Sequence, residues 1–314
     1  MMLLVWPAMA GQAPGVALLF GTGLVGGAIA NALKSATCAV AQTLPWSWDD
    51  ANADHAVAVE RATSTALKAH PGADLAVIWA AGRSGFASDA GTMACEVAAL
   101  EAVLASSRRL LSAFPDRRGS LHHVSSAGGL FEGQTSCGPD AIPRPLRPYG
   151  SGKLAQEGLV TAAKDFAHRR IYRPSSVYGH VRGGRRGLIP VLMAAALRRV
   201  PARIVGELTT QRDYVHASDV GRYVAAMVLA PGSASSTTSL VAQGRPASIF
   251  EILQLVEAQI GLPVPRELDA MPDNARDTTF LRTALPSGFN PMPLAEGIAR
   301  TALTLRQDDV GAMS

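Results

Sequence analysis

The sequence predicts an α/β protein built on a doubly wound parallel sheet, with a smaller C-terminal substrate-binding lobe. Two observations lead there. Short apolar runs alternate with helical patterns through the first half of the chain, the order that produces parallel strands covered on both faces. The segment Gly21-Thr22-Gly23-Leu24-Val25-Gly26 follows one such run and opens a helical one. That is the setting of a dinucleotide-binding turn, and it makes the expected sheet Rossmann-type.

The elements follow in order. Val16–Phe20 reads as a buried strand, Val25–Leu33 as a helix of small residues, and Cys38–Thr43 as a second strand. Ala51–Ala69 is helical, Ala73–Ala80 is another buried strand and Thr92–Phe114 is a long helix. Leu121–Ser125 is a strand, Gly152–His168 a helix and Ile171–Pro174 the next strand. The second half is less regular. Gly187–Arg199 reads as a helix, Arg203–Gly206 as a strand, and Ala217–Leu229 as a helix with Ser218 or Asp219 as its cap. Pro231–Thr238 reads as a loop of small residues, and Ser248–Gly261 as a helix ended by its glycine. Residues 262–292 are proline-rich and expected to be irregular, before a terminal helix over Leu294–Leu305. The expected division is a dinucleotide-binding domain over 14–174 and a mainly substrate-binding lobe over 175–314, interleaved with late sheet elements at about 203–243.

Composition bounds the function. A chain of 314 residues that is 48% hydrophobic buries a sizeable core, which excludes disorder for most of it. Cys38, Cys95 and Cys137 cannot staple a chain this long, include no CxxC, and fit a reducing compartment; a cytoplasmic location is expected. His122 and His123 would point to opposite faces of a strand, which argues against a metal site. The net charge is +4 and the pI about 9.2. Of 29 basic residues only Lys34, Lys68, Lys153 and Lys164 are lysines, so 25 are arginines, the side chain suited to bidentate grip of phosphate. No basic tract is interleaved with aromatics, so no nucleic-acid partner is expected.

No charge precedes Lys34, and that apolar stretch is a candidate membrane span. Gly11, Gly15, Gly21, Gly23, Gly26 and Gly27, with Pro7 and Pro14, break a spanning helix, and the missing positive start argues against a signal peptide. No membrane span is expected. Residues 1–13 are expected to form a flexible extension, with Met9 as an alternative start.

Three motifs carry chemistry. In the glycine segment, Gly21 permits a tight turn, Gly23 lets a pyrophosphate approach the backbone, and Gly26 allows close helix packing; Leu24 and Val25 offer N–H groups at the helix N-terminus. The acid that usually follows about 20 residues on, to hold an NAD ribose, is missing from Val40–Trp46, as is an arginine for a 2′-phosphate. NAD and NADP both stay open, NAD slightly favoured, with Gln42 or Thr43 as the ribose neighbour and Asp49 and Asp50 too late. Ala80, Ala81 and Gly82, at the end of the third strand, are expected to line the same cofactor site.

The second motif is Tyr149-Gly150-Ser151-Gly152-Lys153. Positions i and i+4 share a helix face, and an ammonium beside a phenol favours phenolate. Tyr149 is thereby a candidate general acid/base. A phosphate-binding P-loop ending at Gly152-Lys153 fails, because Arg147 stands where its first glycine belongs and Leu154 where Ser/Thr belongs. The third motif is Ser125-Ser126 at a strand's carboxyl end, the side of an open α/β sheet that meets ligands.

Glycine loop, strand-end serine and Tyr149/Lys153, in this order, resemble the short-chain dehydrogenase/reductase superfamily. Later segments are similar to its extended branch, the NAD-dependent epimerase/dehydratase family of sugar-nucleotide enzymes. These are Arg173-Pro174-Ser175-Ser176-Val177-Tyr178-Gly179, Gln211-Arg212-Asp213-Tyr214-Val215-His216-Ala217-Ser218-Asp219, and Gly288-Phe289-Asn290-Pro291 before Leu294-Ala295-Glu296-Gly297. The resemblance spans about residues 15–306.

The resemblance implies that Tyr149 moves a proton at a sugar hydroxyl or ketone while the nicotinamide exchanges a hydride at the same carbon. It implies that Ser126, rather than Ser125, hydrogen-bonds the reacting oxygen. Lys153 would hold the nicotinamide ribose, Pro174 would touch the cofactor, Ser176 would face the substrate and Arg212 would grip a diphosphate, with Arg276 or Arg282 as a second grip. It also implies a nucleoside-diphosphate sugar as substrate and a homodimer joined through Thr92–Phe114 and Gly152–His168. The departures are specific. Phe20 replaces the family's first glycine, Ser176 replaces its asparagine, and Ala127-Gly128-Gly129 stands where 4,6-dehydratases carry an Asp-Glu pair. Without those acids a dehydratase is disfavoured. The expectation is an NAD(P)-dependent sugar-nucleotide epimerase. The alternative is an NADP-dependent reductase of a keto-sugar nucleotide or another carbonyl, and a different class is a non-catalytic dinucleotide sensor. A sensor has no use for Ser126, Tyr149 and Lys153 together.

Overall fold

Gly15–Phe20 (GVALLF) is buried along its whole length, as a strand covered on both faces must be. It is β2 of a seven-stranded sheet in a computed structural model that describes all residues except 10–12, 48–52, 182–186, 231, 270, 272–273 and 312–314. The sheet also contains β1 (Met2–Trp6), β3 (Val40–Thr43), β4 (Asp74–Trp79), β5 (Gly119–Val124), β6 (His168–Pro174) and β10 (Ser236–Val241), in the spatial order β10-β6-β5-β4-β2-β1-β3. β2, β4, β5 and β6 pair in parallel. Helices α1 (Leu24–Thr37), α2 (Ala53–Ala69), α3 (Ala90–Ala113), α4 (Ala127–Leu130) and α5 (Pro148–Ala162) provide the connections. The fold is thus the expected Rossmann-type α/β arrangement.

Two compact units interleave along the chain. The first comprises 1–130, 145–173 and 221–239; the second 131–144, 174–220 and 240–314. The core of the first is built from Val16, Leu18, Leu75, Val77, Leu100 and Leu121 among others. In the second, β7 (Ser176–Tyr178), β9 (Gln211–His216) and β11 (Pro246–Ser248) form a three-stranded sheet ordered β11-β9-β7, and β8 (Ala202–Val205) pairs in parallel with β12 (Arg266–Asp269). Its apolar core is supplied by α6 (Leu188–Arg198), α8 (Ile249–Ile260) and α9 (Leu294–Gly311) through Ile189, Leu192, Ile252, Val256 and Ile298. Ser248 caps α8 by accepting the Glu251 N–H at 3.1 Å, and Gly261 ends it at φ 77°. Helix α7 (Ala217–Leu229) runs between β9 and β10.

Several expectations are corrected. Residues 1–13 do not form a flexible extension throughout: Met2–Trp6 is a strand inside the sheet, antiparallel to both β2 and β3. Its reason is local. Met-Leu-Leu-Val-Trp is an apolar run before the first proline, and it buries Leu3, Leu4 and Trp6. Trp6 lies on the backbone of Gly15, where a Cβ would overlap the indole, and donates its Nε1–H to Ala13 O at 3.2 Å. Residues 10–12 lie outside the described residues, as do 51–52 of the expected second helix, Asp49, Asp50 and Pro231.

The expected loop over 231–238 becomes β10 from Ser236, and the expected irregular stretch 262–292 contains β12 and a 3-10 turn at Arg282–Ala284. Residues 131–144 join the second unit because their backbone pairs with 278–281: Cys137 N–H donates to Thr279 O at 2.9 Å and Leu281 N–H to Cys137 O at 3.0 Å. Asp219, read as a helix cap, accepts the Met292 N–H at 3.0 Å. The helix expected from Gly152 starts at Pro148, whose missing N–H suits the first helical position, so Tyr149 falls in the first turn. Among the described residues no helix is long and apolar enough to cross a membrane.

Candidate active site

The glycine loop is built by steric necessity. Gly21 has φ 86°, and a Cβ there would come within 2.5 Å of Ala80 O and Ala81 Cα. At Gly26 a Cβ would overlap Gly21 O, so the loop closes only on glycine. Gly23 is the N-cap of α1, makes no side-chain cap, and a Cβ on it would meet no atom within 4 Å. The first turn of α1, with Leu24 and Val25, therefore presents backbone N–H groups without a side-chain cap, which is the cradle a pyrophosphate requires. Phe20, in place of a glycine, turns into an aromatic cluster with Trp46 and Trp79, at centroid distances of 5.5 and 5.9 Å.

The inserted β1 changes the ribose side. Met2 pairs with both Leu19 and Thr43, so β3 lies two strand spacings, roughly 9–10 Å, from β2. Gln42 and Thr43, both exposed, are set one strand farther from the glycine loop than direct β2–β3 pairing would put them.

Tyr149, Lys153 and Ser126 lie in the first unit with the glycine loop. The Tyr149 ring packs on Phe86 at 5.9 Å, and the Lys153 Nζ is 5.9 Å from its centroid. Ser126 ends the strand side and starts α4, where its Oγ accepts the Gly129 N–H at 3.2 Å. Gly129 brings this turn against the catalytic candidate: a Cβ there would be 2.8 Å from Tyr149 Cδ1, and one on Gly150 would overlap Gly129 O. Ser125 is buried.

Lys153 is only 4% exposed. Its Nζ donates to Gln156 Oε1 at 3.1 Å and lies 4.0 Å from Glu96 Oε2. Burial pushes the ammonium below the usual lysine range, opposed by the carboxylates of Glu96 and Glu157. Glu157 is itself held by both ends of the Arg173 guanidinium, at 2.9 and 2.7 Å. Behind them, burial pushes His123 well below the usual histidine range. On the other face His122 binds Tyr172 Oη at 2.8 Å and Ser120 Oγ at 3.1 Å; burial, then Arg170 and His168, lower it to about 3. Both histidines are neutral core groups. Ala80 and Ala81 follow β4 beside Gly21, while a Cβ on Gly82 would lie 3.6 Å from Glu96 Oε2 and 3.7 Å from Lys153 Nζ. Phe86, Glu96, Gln156 and Gly129 were not singled out from the sequence. Of these, only Gly129 had a signal in the sequence, as part of Ala127-Gly128-Gly129 after Ser126.

Pro174, Ser176, Arg212, Arg276 and Arg282 belong to the second unit. Pro174 ends β6 and is buried, Ser176 opens β7, and Arg212 on β9 donates to Asn274 O at 3.2 Å. Arg276 is half-buried and Arg282 exposed. Beside Arg212, the buried Asp213 accepts from Ser175 Oγ, Gln243 N and Gly244 N, each at 2.7 Å, which fixes β9 in place. Burial pushes its carboxyl up against those hydrogen bonds. The family-like segments meet in this unit. Tyr178 packs edge-on to His216 at 5.2 Å, and Gly297 leaves room for its hydroxyl, which a Cβ would overlap. Gly297→Ala is expected to lower stability by about 1–3 kcal/mol, as overpacking does; a urea melt checks it.

The family model described as "NAD dependent epimerase/dehydratase family" matches residues 18–240. A UDP-glucose 4-epimerase of Mycolicibacterium smegmatis is 30% identical over 198 residues, 57% of this chain; the chain spans 60% of that relative's length. The crystal structure of UDP-glucose 4-epimerase with UDP-glucose from Thermotoga maritima is similar in fold at a TM-score of 0.63 and 18% identity, covering 79% of this chain and 82% of that one. UDP-glucuronic acid 4-epimerase from Bacillus cereus, in complex with NAD, has a TM-score of 0.63 at 19% identity over 78% of this chain and 77% of that one. With its glycine loop, its Tyr149/Lys153 helix and a family match over most of its length, the chain belongs to the NAD-dependent epimerase/dehydratase family.

Proposed function

We propose that this chain is a sugar-nucleotide epimerase that binds NAD or NADP, NAD favoured, and works by hydride transfer with proton transfer through Tyr149. The observation that carries this is the Tyr149 ring held over Gly129, next to Ser126, with the Lys153 ammonium 5.9 Å from the ring centre. The uncapped first turn of α1 and the glycine-only contacts of Gly21 and Gly26 fit a dinucleotide, with Gly21, Gly23, Leu24, Val25, Gly26 and Ala80 to Gly82 around it.

Bound there, the nicotinamide supplies the acceptor and donor of a hydride. Tyr149 takes the proton of the sugar hydroxyl as its carbon is oxidised, and returns it when the ketone is reduced from the other face. Ser126 donates a hydrogen bond to the reacting oxygen. Lys153 stabilises the phenolate. Arg212 offers a fork for the diphosphate. A homodimer through α3 and α5, and a cytoplasmic location, belong to the same proposal.

The test is product analysis after incubation with UDP-glucose or UDP-glucuronic acid and catalytic NAD. The expected result is a mixture of 4-epimers with no net reduction of cofactor. Stoichiometric consumption of NADPH on a keto-sugar nucleotide, with no epimer formed, would favour the reductase instead.

A further inference from the structure

Glu96 is buried at 2% exposure on α3, and nothing in the proton-transfer scheme above uses it. Its Oε1 accepts two backbone N–H groups, from Arg83 at 2.5 Å and Ser84 at 2.7 Å. Its Oε2 is fully buried with no hydrogen-bond partner, and lies 4.0 Å from the Lys153 Nζ. An ionised carboxylate withdrawn from water this completely is heavily penalised unless a positive charge compensates it. The same α3 turn is tied to α5 a second time, by Gln156 Nε2 donating to Glu96 O at 3.2 Å while Gln156 Oε1 accepts from Lys153.

We propose that Glu96 is a positioning residue: its buried carboxylate holds the Lys153 ammonium beside Tyr149 and supplies the negative charge against which both protons are kept. The proposal rests on Tyr149 being the proton-transfer group. A role confined to anchoring the 83–84 backbone needs no charge, since a glutamine oxygen accepts the same two N–H groups. A glutamine amide would, however, turn N–H donors toward the Lys153 ammonium, so the site is suited to a carboxylate.

Lys153 faces Glu96 from α3, His123 from β5, and Tyr149 and Glu157 from its own helix. Glu157 is already paired with Arg173 of β6, and His123 is neutral. Glu96 is therefore the carboxylate not otherwise paired in this cluster. Removing its charge makes both neighbouring protons easier to lose: that of Lys153, already lowered by burial, and that of Tyr149.

The experiment compares wild type, Glu96→Gln and Glu96→Asp, each with and without Tyr149→Phe. The cofactor-free proteins are titrated through the ultraviolet phenolate band, and the Tyr149 midpoint is obtained by difference. The pH profile of kcat is measured in parallel with UDP-glucose. The expected result for Glu96→Gln is a Tyr149 midpoint, and both limbs of the kcat profile, moved to lower pH by about one unit, the typical effect of removing one nearby buried charge. Glu96→Asp retains the charge and stays within about half a unit of wild type. Should Glu96→Gln fail to fold, Glu96→Asn, neutral and smaller, reads the same shift. A fall in kcat or melting temperature with unmoved midpoints would overturn the proposal and leave Glu96 as a loop anchor. Full turnover by the Tyr149→Phe protein would overturn the underlying reading instead, a separate outcome of the same series.

Discussion

Tyr149→Phe is expected to lower turnover by about two to four orders of magnitude, the typical contribution of a positioned acid/base. Dinucleotide affinity should stay within a few-fold of wild type. The substitution removes one oxygen and leaves the ring, so its packing on Phe86 and over Gly129 persists, as does the α1 N-terminus on which the pyrophosphate would rest. Steady-state rates on UDP-glucose and calorimetric titration with NAD separate the two quantities. A protein whose role is to sense the dinucleotide would be indifferent to the change.

The largest expected effect on stability comes from deleting residues 1–8. Leu3, Leu4 and Trp6 are 3%, 0% and 4% exposed. Large apolar side chains contribute roughly 1.5–3 kcal/mol each when buried, so their loss removes roughly 5–9 kcal/mol. That is comparable with the whole stability of a typical domain, about 5–15 kcal/mol. β3 also loses its ladder partner, and Gly15 loses the indole that covers it. The deleted chain is expected to be unfolded or aggregated, read by circular dichroism and urea titration. A truncated protein with an unchanged urea midpoint would mean that β3 re-pairs directly with β2 and that β1 is an added strand rather than an integral one.

The parts of this molecule that sequence exposed are those with local causes. Gly21 and Gly26 announce a turn because backbone sterics leave few other ways to make one. Tyr149 and Lys153 announce a shared face through helical spacing, and Gly261 announces the end of α8 through its left-handed backbone. β2, β4 and β5 read as strands because buried parallel strands are continuous apolar runs.

What stayed hidden depends on long-range pairing. Met2–Trp6 reads equally well as a strand or as an apolar tail, and only its partners on both sides decide. Arg266–Asp269 carries no strand pattern and is extended because β8 lies beside it. Glu96 looks like a solvated helix charge, since its partners Arg83, Ser84, Lys153 and Gln156 come from a loop and a helix far along the chain. Residues 131–144 change unit for the same reason: Thr279 and Phe280 supply their pairing.

The central claim is that this chain carries a dinucleotide in its glycine loop and recycles it. Its most direct test is mass spectrometry and absorbance of the purified protein, native and then denatured, to identify any retained dinucleotide, followed by titration with NAD, NADH, NADP and NADPH. The expected result is NAD released on denaturation, or, from a protein purified empty, tight saturable binding of NAD that Gly23→Asp abolishes. A protein that releases no dinucleotide and binds none of the four would contradict the account.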